Sequence, residues 1–301
     1  MPAPRFLAFA QLLRLPNVFT AFADIALAAC VGIALMPETL REYVVAMLVL
    51  AVASGCHYLA GMVWNDVFDL AEDLRDRPFR PLPSGRIFLR TAAVLGAVLS
   101  LAGIGFSILG GAAWIGIGLA AAVLLYDAWL KRTPFGPVGM AACRFLNVLI
   151  GLSAIPADVL SEERRLHIAG VIGVYILGVT WFARTEATES NRWHLRGAAA
   201  VLAGALALAL VLKARVAELA GPAMWLFPYL LAAFALGIAT PVSHAIRKPG
   251  PREVQAAIKR LVLGLVVLDA VLATAFVGAP GLAILLLLPP ALLLGKWVYS
   301  T

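Results

Sequence analysis

Long apolar segments dominate this chain and restrict what it can fold into. The 301 residues are 62% hydrophobic and only 14% charged, which is more apolar surface than a soluble domain can bury. The segments are rich in Ala, Leu and Gly and lack the alternation of barrel strands, so helices are the expected spanning element. The sequence therefore predicts an all-α polytopic membrane protein.

We predict ten apolar helices along the chain. They cover Pro16–Leu35, Tyr43–Trp64, Thr91–Leu109, Ala112–Leu130, Val138–Ile155, Leu166–Phe182, Gly197–Leu212, Met224–Val242, Leu261–Phe276 and Gly281–Val298. The last segment is interrupted by Pro289 and Pro290, which favours a kinked hairpin or a re-entrant segment as much as a complete crossing.

The distribution of basic residues predicts the orientation in the membrane. With these spans, nineteen Lys and Arg residues fall on the side of the amino terminus and five on the other side. Because cytoplasmic loops carry the excess of positive charge, the amino terminus and the loops on its side are expected in the cytoplasm. This asymmetry also accounts for the net charge of +7 without a nucleic-acid partner.

An acidic segment follows the second apolar run. Asp66, Asp69 and Asp73 are spaced at i, i+3 and i+7, so on one continuous helix they share a face. Three carboxylates at a membrane helix end are costly unless a cation holds them, and oxygen ligands of this kind suit Mg²⁺. The alternative is a solvated acidic helix end, neutralised by the arginines that follow it.

This segment resembles the first aspartate-rich motif, NDxxDxxxD, of the UbiA superfamily of intramembrane prenyltransferases. The match is complete at Asn65, Asp66, Asp69 and Asp73, and residues 77–85 (RPFRPLPSG) resemble the continuation typical of that superfamily. The resemblance implies one domain over residues 1–301 with nine transmembrane helices, to which the last segment would add a tenth. It also implies that the three aspartates are catalytic and hold Mg²⁺.

Residues of the basic loops are expected to bind a diphosphate. Residues 126–132 (YDAWLKR) resemble the YxxxLKR segment of the superfamily, in which the Lys and Arg approach the diphosphate. For Arg132 alone, a membrane anchor is the favoured interpretation. Arg144 lies near the start of the fifth helix and either faces a wet cavity or snorkels to the interface. The full predicted set is Asn65, Arg77, Arg80, Lys131, Arg144 and Arg184.

The second aspartate-rich motif of the superfamily has no Asp in this chain. Its place is taken by residues 180–192, where Glu186 and Glu189 are the only carboxylates and Arg184 precedes them. Either the two glutamates hold a second metal ion, or Arg184 provides a fixed positive charge in its place. An Arg-x-Glu here resembles a divergent branch of the superfamily.

Three ionisable residues fall within apolar segments, namely Asp24, His57 and Asp269. Buried ionisable groups in a membrane are expected to pair with each other or to serve a function. We expect Asp24 and His57 to be partners on neighbouring helices, the alternative being that they contact an acceptor.

Together these features predict Mg²⁺-dependent transfer of a prenyl group from an isoprenyl diphosphate to a lipophilic acceptor, aromatic or polyol, in a bacterial or archaeal cell membrane. The alternative is a non-catalytic relative that binds or moves a lipid or pigment precursor. A transporter built from inverted repeats is a third class, but the sequence shows no clear internal repeat.

Overall fold

All ten predicted segments are helical in the computed structural model, which describes residues 5–36, 40–184, 190–215 and 225–298. The α-helices are α1 (Arg5–Leu12), α2 (Val18–Leu35), α3 (Leu40–Phe68), α4 (Leu70–Asp76), α5 (Leu89–Leu109), α6 (Ala113–Ala128), α7 (Gly136–Leu152), α8 (Glu162–Ala183), α9 (Arg192–Arg215), α10 (Leu226–Arg247), α11 (Pro251–Val277) and α12 (Leu288–Trp297). The prediction of an all-α membrane protein is confirmed.

Within the described residues, eight helical segments are long and apolar enough to cross a membrane. Two further apolar helices, α6 and α7, are shorter, with 16 and 17 residues. The most buried segment is α11, which packs on α2, α8 and α10. Its central place explains why its second half, from Leu261 onward, is apolar on nearly every face, whereas its first turns carry exposed charges.

The last apolar segment changes from a 3₁₀ helix to an α-helix next to its two prolines. Gly278 turns the chain with a φ of 67°, a 3₁₀ helix covers Ala279–Leu287, and α12 follows. α12 packs on a second 3₁₀ helix at Leu15–Asn17, where Gly295 lies against Pro16. The segment therefore returns to the end of the bundle that carries the amino-terminal helices.

The loops that carry the predicted site meet at this same end. Lys131 contacts Asp69, the Arg184 side chain donates to the carbonyl of Pro134 at 2.7 Å, and the backbone of Ser190 donates to Pro249 at 3.0 Å. The loops before α5, α7, α9 and α11 are thus held in one cluster. The packing agrees with the side assigned to them by the basic residues, while their location in the cytoplasm stays a prediction.

Candidate active site

The acidic segment does not form one uninterrupted helix. α3 ends at Phe68 and α4 begins at Leu70, with Asp69 between them at φ −92° and ψ 1°. The backbone hydrogen bonds nevertheless continue, because Asp69 N donates to Asn65 O at 3.0 Å and Asp73 N donates to Asp69 O at 2.8 Å. The slight break changes the direction of the Asp69 side chain.

The three aspartates accordingly divide into a pair and a single residue. Arg80 Nη1 lies 2.8 Å from Asp73 Oδ2 and 3.6 Å from Asp66 Oδ1, so these two carboxylates converge on one guanidinium. Asp69 instead contacts Lys131 Nζ at 2.7 Å and Arg132 Nη2 at 2.9 Å. The shared face predicted from the spacing holds for Asp66 and Asp73 only.

Arg80 is placed by the turn that follows α4. Its side chain is buried, whereas Arg77 is half-exposed and reaches Asp73 only at 3.9 Å. Ser84 closes the turn by donating to Arg80 O at 2.6 Å, and Gly85 takes a φ of 72°, a conformation that residues with a side chain rarely adopt. The RPFRPLPSG sequence therefore forms a rigid loop that presents Arg80 to the acidic pair.

Arg14 also lies at the acidic segment. Its Nη2 donates to Asn65 Oδ1 at 3.1 Å and to Asp66 Oδ1 at 3.0 Å. Among the described residues it is the only non-glycine with a positive φ, at 45°. Backbone strain of this kind persists where the surrounding contacts hold it, often at functional sites.

Asn65 connects three parts of the chain. It accepts from Arg14 and its Nδ2 donates to Asp127 Oδ1 at 3.2 Å, which ties α3 to the start of the bundle and to the end of α6. Asp127 is buried and lies 3.9 Å from Lys131 Nζ. The sequence analysis gave Asp127 no role. Its position one helical turn before Lys131 was the signal that could have indicated a contact between the two.

A cavity of about 250 Å³ extends from these residues into the bundle. Arg14, Asn65 and Asp127 lie at its mouth, while its walls are mostly apolar and include Met62 and Val123. The remaining lining residues are Ala21, His57, Tyr58, Gly61, Leu119, Tyr126, Met140, Cys143, Arg144 and Asn147. A second cavity of about 300 Å³ lies on the other side of Arg14, against the RPFRPLPSG loop.

The inner part of the first cavity contains a buried polar cluster. Arg144 donates to Asp24 Oδ2 at 3.2 Å and to Thr20 Oγ1 at 2.6 Å, and Asn147 also donates to Asp24. Arg144 therefore faces the cavity rather than snorkelling. It is bound by a different carboxylate from those of the acidic segment, which favours another role than diphosphate binding.

The expected pair of Asp24 and His57 is wrong. His57 lies 3.3 Å from Ser107 Oγ instead, because its face of α3 is turned towards α5 and α6. Asp269 of α11 lies beside Asp24, and apart from that carboxyl its two buried carboxyl oxygens have no hydrogen-bond partner among the described residues. The rotation of these helices about their axes decides the pairing, and the sequence does not specify it.

The second motif is described only in part. Arg184 is exposed and its Nη1 donates to Pro134 O, next to the loop that carries Lys131. Glu186 and Glu189 lie outside the described residues, so their assignment as metal ligands stays a prediction.

The described carboxylates provide part of a coordination shell for a divalent cation. No group of three His, Cys, Asp or Glu side chains lies close enough to hold a metal ion within the described ranges. Asp66 and Asp73, however, are oxygen donors that already converge on one positive charge, which suits Mg²⁺ chemically. The residues therefore fit a metal held by this pair, with Asp69 engaged elsewhere.

Comparison with known proteins identifies the family of this chain. The model of the UbiA prenyltransferase family matches residues 18–263. A digeranylgeranylglyceryl phosphate synthase from Methanoregula boonei is 34% identical over 58% of this chain and 65% of its own length, and one from Saccharolobus solfataricus is 32% identical over 50% and 53%. The chain thus spans between half and two thirds of the length of these curated relatives.

Solved structures share the fold. A structure described as a digeranylgeranylglyceryl phosphate synthase in membranes has a TM-score of 0.66 at 19% identity, covering 90% of this chain and 99% of its own. The apo structure of a UbiA homolog from Aeropyrum pernix K1 has a TM-score of 0.64 at 20% identity, covering 86% and 97%. With a family match over residues 18–263 and this shared fold, the chain belongs to the UbiA prenyltransferase family.

Proposed function

We propose that this protein transfers a prenyl group from an isoprenyl diphosphate to an acceptor within the membrane, with Mg²⁺ as cofactor. The observation that carries the proposal is the first cavity, which is mostly apolar but is lined by Arg14, Asn65 and Asp127 where it approaches the acidic segment. Arg14 contacts Asp66 at 3.0 Å and Asp127 lies 3.9 Å from Lys131. The charged rim suits a metal and a diphosphate, and the apolar wall suits a prenyl chain.

The residues at the rim suggest how the donor binds. Lys131, Arg80 and Arg14 are cations that a diphosphate oxygen could contact in exchange for the carboxylates they hold now. Asp66 and Asp73 would then be free to hold the metal, and the flexible arm of Lys131 would release Asp69 to approach it. Arg77 and Asn65 are further diphosphate contacts in this scheme, and Arg184 approaches from the α8–α9 loop.

The chemistry requires the bond between the allylic carbon and the diphosphate oxygen to break. When bound, the metal ion neutralises the leaving diphosphate, whose charge grows as that bond lengthens. The cations of the rim add to the same stabilisation. The apolar wall of the cavity, with Met62, Leu119 and Val123, excludes water from the allylic cation until the acceptor attacks.

The names of the relatives guide the choice of donor for a test. Purified protein would be incubated with dimethylallyl, geranyl, farnesyl or geranylgeranyl diphosphate, and both donor binding and release of diphosphate would be measured with Mg²⁺ and with EDTA. We expect metal-dependent binding and release with at least one donor. Absence of metal-dependent binding to all four would reject the proposal and favour the carrier function.

A further inference from the structure

The guanidinium of Arg144 lies on the inner wall of the cavity, and its charge is compensated by a carboxylate on the side away from the cavity. Arg144 lines the cavity, with its guanidinium carbon 5.6 Å from the centre of the Tyr58 ring. Tyr58 precedes Asp66 by eight residues on α3, so this wall lies about 12 Å along the helix axis from the acidic pair. A small molecule bound here is close enough to the rim to react with a donor held there.

Two carboxyl groups stand behind this single guanidinium. Asp24 is fully buried and contacts Arg144 at 3.2 Å, and Asp269, also fully buried, lies beside Asp24. A single carboxylate in an ion pair with Arg144 is enough to cancel the charge of the guanidinium. The wall therefore carries no net positive charge.

Arg144 nevertheless keeps hydrogen-bond donors for a ligand. A guanidinium has five N–H groups, and the contacts with Asp24 and Thr20 account for two of them. By contrast, the Asn147 amide is occupied by Ala21, Asp24 and Ser54. Among the described residues of the cavity lining, the other cation is Arg14, which Asp66 holds at 3.0 Å.

We propose that Arg144 donates hydrogen bonds to an uncharged oxygen of the prenyl acceptor, a hydroxyl or carbonyl group, and that Asp24 and Asp269 exclude carboxylate and phosphate from this wall. Asp24 already cancels the charge of Arg144. An anionic group bound here would therefore gain no net attraction and would lose its hydration. The inference rests on the proposed function only in calling this ligand the acceptor. The predicted uncharged acceptor distinguishes this chain from the relatives that are named for a glyceryl phosphate product.

The test compares uncharged and anionic probes of similar shape without any donor present. Isothermal titration of the detergent-purified protein would use two pairs, 4-hydroxybenzyl alcohol with 4-hydroxybenzoate and glycerol with glycerol 1-phosphate. We expect the uncharged member of at least one pair to bind about tenfold more tightly, because the anion meets like charge. Replacing both Asp24 and Asp269 with Asn should restore the positive charge of Arg144 and reverse the preference, and Arg144→Gln should abolish binding of the alcohol.

The control is Asp158→Asn, the same change at an exposed carboxylate in the loop between α7 and α8, which should leave the preference unchanged. The inference is overturned if the wild type binds neither member of either pair, or binds the anion equally or better in both. A folded variant with both Asp24 and Asp269 replaced by Asn that keeps the wild-type preference would also overturn it. If that variant does not fold, the wild-type comparison and Arg144→Gln still decide. Metal-dependent donor binding is measured separately, so a failure of the proposed function is distinguishable from a failure here.

Discussion

Lys131 Nζ lies 2.7 Å from Asp69 Oδ2, although the two residues are 62 positions apart in the sequence. The contact joins the loop after α6 to the break between α3 and α4, and it removes Asp69 from the other two aspartates. Both side chains are largely buried, at 12% and 16% exposure, so each depends on the other for compensation of its charge.

The first prediction concerns this lysine as a donor contact. A charge-assisted hydrogen bond contributes about 1.5–3 kcal/mol, so Lys131→Met should weaken binding of an isoprenyl diphosphate about tenfold or more. Titration of donor into the purified variant at saturating Mg²⁺ would measure it. The matched control is Lys259→Met, at an exposed position of α11. An equal loss in both variants would contradict a specific role for Lys131.

The second prediction separates the aspartates from each other. Asp66 and Asp73 converge on one guanidinium, whereas Asp69 is paired with Lys131. We therefore expect Asp66→Asn and Asp73→Asn each to raise the Mg²⁺ concentration needed for donor binding at least about tenfold. Loss of even an outer-shell partner of a metal usually has an effect of this size. Asp69→Asn should raise it less. EDTA should abolish donor binding by the wild type. Equal Mg²⁺ dependence in all three variants would argue against the division of the motif seen in the structure.

The helices and the acidic motif were predictable because their signals are local. A run of apolar residues long enough to span a bilayer indicates a helix wherever it packs, and the i, i+3, i+7 spacing brings Asp66 and Asp73 to one face. The contacts of Asp69 at the break between α3 and α4 were not predictable, since its partners Lys131 and Arg132 lie 62 and 63 positions away in the sequence.

The partners of the buried charges were also beyond sequence reasoning. Asp24 pairs with Arg144, 120 residues away, and not with His57. Each partner is determined by the rotation of α2, α3 and α7 about their axes and by the depth of each helix in the bundle. The sequences of apolar helices without a marked polar stripe carry little information about rotation or depth.

The third prediction uses the backbone of Arg14. Its left-handed conformation costs on the order of 1–3 kcal/mol, which Arg14→Gly would relieve. The same change removes the contacts with Asn65 and Asp66, so donor affinity should fall about tenfold while the unfolding temperature stays equal or rises. Arg14→Ala loses the contacts without relieving the strain, and it should unfold at a lower temperature than Arg14→Gly. Full donor affinity in both variants would mean that Arg14 has only a structural role.

The fourth prediction concerns orientation. In a protein whose three native cysteines are replaced, single cysteines at the exposed positions Asp76 and Lys248 should react with a membrane-impermeant maleimide only from the cytoplasmic side. A cysteine at Glu163, in the first turn of α8, should react only from outside. Labelling of Glu163 and Lys248 from the same side would contradict the span count between them.

The last prediction addresses the motif without aspartate. Arg184 is anchored to Pro134 O at 2.7 Å, close to the loop that carries Lys131, so its guanidinium is held near the proposed diphosphate site without a described carboxylate partner. We expect a divided arrangement in which Arg184 contacts the diphosphate directly and Glu189 approaches the metal. Arg184→Ala should then weaken donor binding about tenfold at every Mg²⁺ concentration, because a charge-assisted contact is lost.

Glu189→Gln should instead shift the Mg²⁺ dependence and leave donor affinity intact at saturating metal, and Glu186→Gln should be the milder of the two changes. Donor titrations at several Mg²⁺ concentrations distinguish these effects, with Arg192→Ala as the control, since that exposed arginine in the same loop region bonds to Arg247 O. If Glu186→Gln and Glu189→Gln both shift the metal dependence and Arg184→Ala does not affect binding, two glutamates hold a second metal and Arg184 does not replace it. Unchanged donor binding in all three variants would exclude the α8–α9 loop from the diphosphate site, and the carrier function would then be favoured over transfer.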